Sequence, residues 1–389
     1  MALGGPNVVK GHHEVRAVSD PADTVGRRTK SSDRKANLSM NLAVQPDLWA
    51  GVDRLIDRAP SPVDLRAHGL QVLAARRLRR ELPPEFADVE WEASQRSAVG
   101  RLILREARSA YDGPIIVLKG LDTATYYPSM HLRPFADIDL LVEDAERAQR
   151  ALISSGFVPV GLPDAYYDGL HHLRPLVRPE APSLAVEIHR RPNWFSWSDP
   201  PANDELFNSV LPSALGVPGV FGLLPAQHAL VVAAHAWVEL PLRRLLDLVD
   251  AAAISSQADS DALMAVARRW DMLRVWRTTS AAANALFYNE PTPSSLRVWG
   301  RNLEAVRDRT VLETHFRRLA SVFWARPPLL ALATAGRILA ETALPAPSDS
   351  WSTKLARTRR AIMDRSKPAA QHAQTLGEDA QRAPRFRRR

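Results

Sequence analysis

The chain has no cysteine. That excludes disulfides, thiolate zinc sites and cysteine nucleophiles, and it fits a reducing compartment. Long apolar runs are also missing. The opening residues, MALGGPNVVKGHHEVRAVSD, have no core of the kind a secretion signal needs. The two greasiest stretches, 219–242 and 327–344, carry polar or charged breaks inside the roughly 20 residues that a membrane helix requires. Buried or amphipathic helices are expected there, in a cytoplasmic protein without a membrane partner. No H-E-x-x-H or comparable spacing links the histidines, so zinc-hydrolase chemistry has no support.

What is present is ordinary for a soluble protein: 389 residues, 46% hydrophobic and 24% charged. The formal charge of +8 belongs to the ends. Residues 1–40 hold seven basic and four acidic side chains, residues 354–389 hold eleven and three, and the chain between them is at −3. A basic groove in the folded part is therefore not expected. The terminal RAPRFRRR reads as a solvated tail or as a segment for nucleic acid or an acidic partner. The sequence leaves the oligomeric state open.

Periodicity divides the chain. Residues 1–44 show no sustained period and read as a disordered basic tail. Residues 45–111 read as a helical segment, with Leu48, Val52, Leu55 and Ile56 on one face. A long helix is expected from Ser61 as N-cap and Pro62 in the first turn to about residue 82. Residues 112–195 change character. PIIVLKG and DIDLLV read as buried strands, EDAERAQRALISSG as a helix with Gly156 beyond its end, and FVPVG as an edge strand. HHLRPLVR and SLAVEIHR read as a hairpin turned by PEAP. Residues 196–344 read as a helical domain, and 345–389 as a second disordered basic tail. The fold class is α+β, a small mixed sheet between helical segments.

Two acids stand in one of the oily strands. Side chains alternate along a strand, so Asp137 and Asp139 point the same way, roughly 7 Å apart. Side-by-side carboxylates need a cation between them or one protonates. A divalent metal such as Mg²⁺ or Mn²⁺ meets that need with carboxylates and substrate phosphates. In SLAVEIHR, Glu187 and His189 share the face opposite Leu184, Val186 and Ile188. If that strand lies beside DIDLLV, Glu187 joins the aspartates. Three carboxylates can hold two ions on the attacking and leaving oxygens of a nucleotidyl or phosphoryl transfer. Lys119 and Gly120 close the preceding strand. Lysine offers a point charge to a phosphate, and glycine permits close backbone approach. Arg133 offers a bidentate phosphate contact or a structural ion pair. His189 is a candidate to orient a carboxylate, touch a phosphate or act as base. His171, His172 and His228 read as core or surface residues. His235, Arg244 and Asp247 face either a nucleotide or, for the last two, each other. Trp194 and Trp197 offer stacking or core packing.

The order strand–KG–helix–LRPFADIDLLV–helix–GF–hairpin with VEIH resembles an uncharacterised bacterial nucleotidyltransferase family of the polymerase-β-like superfamily. The resemblance spans about residues 60–330. It implies a nucleotidyltransferase core at 112–195, metal ligands at Asp137, Asp139 and Glu187, and an NTP, expected to be ATP, held at Lys119, Gly120, Arg133 and His189. Lys119-Gly120 stands where better-studied superfamily members have Gly-Ser. The reaction implied moves an NMP onto a hydroxyl of an unknown small molecule, peptide or RNA. Two alternatives stand beside it: a non-catalytic nucleotide- or RNA-binding module on the same fold, and γ-phosphate transfer at the same site.

Overall fold

The computed structural model describes residues 47–345 and 350–369. The tail expected at 1–44, and the part of the one expected at 345–389 that begins at 370, lie outside the described residues. Three short helices open the described part: α1 (Leu48–Ile56), α2 (Pro62–Ala67) and α3 (Gln71–Leu78). The predicted face of α1 is buried, and Asp47 caps it by accepting from the Trp49 amide. Ser61 caps α2 as expected. The helix expected to run to about residue 82 breaks instead at Gly69, whose φ of +73° no helix accommodates. A 22-residue helix follows, α4 (Val89–Ala110).

The sheet elements come next: β1 (Ile115–Val117), the short α5 (Leu121–Ala124), β2 (Asp137–Val142), α6 (Ala145–Ser154), β3 (Val158–Pro159), β4 (Leu176–Arg178) and β5 (Ala181–His189). After α7 (Asn203–Phe207), β6 (Val210–Pro212) and β7 (Val220–Leu223) complete seven strands in the order β3-β4-β5-β2-β1-β7-β6. The pairs β2–β5 and β1–β7 are parallel and the rest antiparallel, so the sheet is mixed. The hairpin and the edge strand at Val158 form as predicted. The last two strands lie in a stretch read as helical. Each has three or four residues, too few for an alternation to show.

Helices then dominate: α8 (Pro225–Glu239), α9 (Leu245–Ser255), α10 (Ser260–Arg269), α11 (Leu273–Tyr288), α12 (Ser294–Trp299), α13 (Arg301–Glu304), α14 (Val311–Ala320), α15 (Val322–Ala325), α16 (Pro328–Ala343) and α17 (Trp351–Met363). The last falls where a disordered tail was expected. Among the described residues no helix is long and apolar enough to cross a membrane. The chain is thus α+β, a mixed sheet with many helices.

The sheet separates two apolar cores, and strand alternation decides which residue enters which. Ile138, Leu140 and Val142 of β2 pack with Ile103, Leu104 and Ala107 of α4 and Leu152 of α6. Leu141, with Ile116 and Leu118 beside it, enters the other core with α8 and α9. Asp137 and Asp139 share the parity of Leu141. They therefore face the helical layer, beyond the end of its apolar packing.

Candidate active site

Parallel pairing of β2 with β5 sets Asp139 opposite Glu187, Asp137 opposite Ala185 and Leu141 opposite His189. Asp139 is fully buried and His189 nearly so, while Asp137 and Glu187 are partly exposed. The His189 Nε2–H donates to Asp139 Oδ1 at 3.0 Å and lies 3.8 Å from Glu187 Oε2. The other Asp139 oxygen, Oδ2, is buried without a hydrogen bond.

Lys119 leaves the end of β1 and brings its ammonium 3.5 Å from Asp139 Oδ2 and 3.6 Å from Asp137 Oδ2. Gly120 follows with a φ of +64°. A Cβ there would stand 3.0 Å from the Asp137 carbonyl oxygen, so the turn that aims Lys119 requires glycine on two counts. α8 closes over the group from the helical layer. Its His235 Nε2 lies 3.0 Å from Lys119 Nζ and 2.9 Å from Glu239 Oε1, and Asn193 Nδ2 is 3.3 Å from His235 Nδ1.

Electrostatics follow from this packing. Burial works to lower the Lys119 pKa, but Asp139, Asp137 and Glu187 together outweigh it and hold the ammonium above its ordinary value. Burial would raise Asp139, yet Lys119 and the His189 hydrogen bond keep its carboxyl well below the usual range. Glu187 has the opposite fate: burial, then Asp139 and Asp137, push it up to about 7. The hydrogen bond from His235 leads the effects that hold Glu239 down at about 2.

Asp139, Glu187 and His189 each offer a ligand atom, all within 4.8 Å of one another. The buried, unbonded Asp139 Oδ2 is the kind of acceptor a cation satisfies, so this donor set fits a divalent metal. Of the expected trio it contains Asp139 and Glu187; Asp137 pairs with Lys119 at the more exposed edge, and His189 Nε2 is engaged with Asp139 Oδ1.

Other expected residues go elsewhere. Arg133 does not present its fork to the site. It is buried in a bidentate pair with Asp250 of α9, Nη2–Oδ2 at 2.8 Å and Nε–Oδ1 at 3.2 Å, and the Tyr127 hydroxyl donates to the same carboxylate at 2.6 Å. The structural ion pair that the sequence also allowed is thus formed, with the fork closed on one carboxylate. Arg244 pairs with Asp247 at 2.7 Å. His228 is buried 3.6 Å from Asp122. The His171 and His172 rings lie tilted against that of His189, at 5.3 and 5.6 Å between centroids. Trp194 packs on Trp270, and Trp197 lies between Phe195 and Arg326.

Two neighbours escaped the sequence reading, Glu239 and Asn193. Glu239 stands four residues after His235 in HAWVE, a spacing that puts both on one helix face. Asn193 gives no such signal.

The model of a family described as uncharacterised nucleotidyltransferases matches residues 63–288. Searches of the curated proteins and of the solved structures return no match. The match takes in the Lys119-Gly120 turn, the acid strand, the paired strand that carries Glu187 and His189, and the helix that closes over them. The chain belongs to this uncharacterised nucleotidyltransferase family.

Proposed function

We propose that this protein is a metal-dependent nucleotidyltransferase that moves an NMP from an NTP, with ATP the first choice, to a hydroxyl-bearing acceptor. The observation that carries the reading is the register of β2 with β5, which sets Glu187 beside a buried aspartate whose Oδ2 has no hydrogen bond. Asp139 and Glu187 would hold a divalent ion such as Mg²⁺ or Mn²⁺, with Asp137 at the exposed edge. When bound, the ion supplies Lewis-acid stabilisation of charge on phosphoryl oxygens.

The chain's own residues have separate tasks. Lys119 leaves its carboxylate partners for the triphosphate and neutralises charge on the departing pyrophosphate. Gly120 lets the backbone come close to the phosphates. Glu187 accepts the acceptor's hydroxyl proton. The oxygen of that hydroxyl bonds to the α-phosphorus as the bond from that phosphorus to the pyrophosphate oxygen breaks. His189 keeps Asp139 oriented by its hydrogen bond. His235 and Glu239 set the position of Lys119 from α8.

The test uses Mg²⁺ and ATP labelled at either the α- or the γ-phosphate, with cell extract as acceptor pool. Label is expected from the α-phosphate alone and is lost in Asp139→Asn. Transfer of the γ-label alone would replace the proposal with phosphotransfer. No transfer, joined to ATP binding that needs neither metal nor Asp139, would reduce the protein to a binding module.

A further inference from the structure

The described C-terminal helices bury little of what they carry. In α16 only Ala331, Thr334 and Ala335 are buried, while Leu329 is 82% exposed and Leu332 and Leu339 are above half. α17 buries none of its thirteen residues. An isolated helix of that length is marginal in water, because packing of an apolar face supplies most of a helix's stability. Monomeric proteins rarely leave such surface bare without a use for it.

The pattern on α17, WSTKLARTRRAIM, identifies the use. At about 100° per residue, Trp351, Leu355 and Ile362 fall within about 40° of one another. They are 58%, 63% and 60% exposed. Lys354 flanks this stripe on one side and Arg359 on the other. The helix has four basic residues and no acidic one. A groove of about 440 Å³ runs between α14 and α17, with Leu312 and Ile362 among its apolar walls and Lys354 and Arg365 among its cations.

We propose that α17 docks on an anionic lipid surface, lying in its plane with Trp351, Leu355 and Ile362 among the acyl chains and the flanking cations at the headgroups. The charge argues against the other occupants. A second copy of the chain would bring a second helix with four cations and no acid against the first. A nucleic acid satisfies the cations but leaves aliphatic side chains in water. Only an anionic amphiphile matches both halves of the pattern. The basic residues that follow in the sequence, ending in RFRRR, add to the same attraction. The proposal revises the expectation of no membrane partner, and it does not depend on the site at Asp139.

The full chain is mixed with vesicles of phosphatidylcholine alone or with phosphatidylglycerol, and sedimentation and tryptophan emission are followed. Expected are binding to the anionic vesicles only, a blue shift that Trp351→Ser reduces, and weakening with salt. Leu355→Glu/Ile362→Glu should weaken binding at least roughly tenfold. Both positions are exposed, so the variant keeps the fold and melts like the parent. Lack of binding to anionic vesicles would overturn the proposal, as would equal binding of the double variant. A dimer in solution that the double variant dissociates would assign the face to a second copy. RNA binding unchanged by the double variant, without vesicle binding, would assign the charge to nucleic acid.

Discussion

Removing either member of the Arg133–Asp250 pair should destabilise the fold far more than an exposed ion pair would. Arg133 is 6% exposed and Asp250 1%. The carboxylate takes two bonds from Arg133 and one from Tyr127. Asp250→Asn leaves a buried guanidinium facing an uncharged amide, and Arg133→Met leaves a buried carboxylate with only a phenol donor. Breaking a buried pair from one side costs about 3–5 kcal/mol. The double variant Arg133→Met/Asp250→Leu leaves no buried charge, so its loss should be smaller than the sum by at least about 2 kcal/mol. Urea unfolding of the four proteins measures this directly. The same set settles what Arg133 does. If it holds a phosphate, Arg133→Met weakens metal-dependent ATP binding at unchanged stability. If it braces the loop before β2 against α9, stability falls and Asp250→Asn reproduces the fall. Additive losses, or an Arg133→Met variant as stable as the parent, would refute the argument.

Gly120→Ala should lose at least about 1 kcal/mol of stability and most transfer activity, because alanine there meets both a positive φ and the Asp137 carbonyl; melting and label transfer check it. Lys119→Met should weaken triphosphate binding roughly tenfold or more while letting a divalent ion bind more tightly without nucleotide, as the competing cation is gone; calorimetry separates the two effects. His68, buried with Nε2–H donating to the Arg307 carbonyl at 2.9 Å, has its pKa lowered by burial from 6.5 to about 4. Its unfolded form takes up a proton first as pH falls, so stability present above 6.5 is lost toward 4, by about 2 kcal/mol between pH 7 and 5, and His68→Asn should remove that slope.

Much of the site was legible because a strand's period is two. Asp137 and Asp139 had to share a face, and Glu187 and His189 had to share another. That the two faces are one depends on β2 and β5 being parallel neighbours. No local pattern encodes pairing between residues 50 apart, so the sequence supported it only conditionally. Arg133 shows the same limit from the other side. Its place four residues before Asp137 suggested a phosphate, but its partner lies 117 residues downstream on a helix whose fully buried acid looked like part of an apolar run. β6 and β7 were hidden by brevity and by prolines that punctuate helices as readily as strands. The break at Gly69 was hidden because a lone glycine is tolerated in a helix unless its φ turns positive.

Of the face of DIDLLV that carries the acids, Leu141 enters the helical core, while Asp139, two residues earlier, is fully buried beside it. Burial there would be costly for an unpaired charge, and Lys119 answers it with an ammonium within 3.6 Å of both aspartates. At 3.5 Å that ammonium makes no hydrogen bond to Asp139 Oδ2, and the group of Asp137, Asp139 and Glu187 still carries more negative charge than it balances. That uncompensated charge is what a bound cation would balance, as the proposed reaction requires. On the proposed reading a divalent ion would compete with the ammonium for that oxygen, whereas a triphosphate would give the displaced ammonium new acceptors. Metal and nucleotide should then stabilise each other's binding through Lys119, equally in both directions by linkage, which calorimetry of each with and without the other measures.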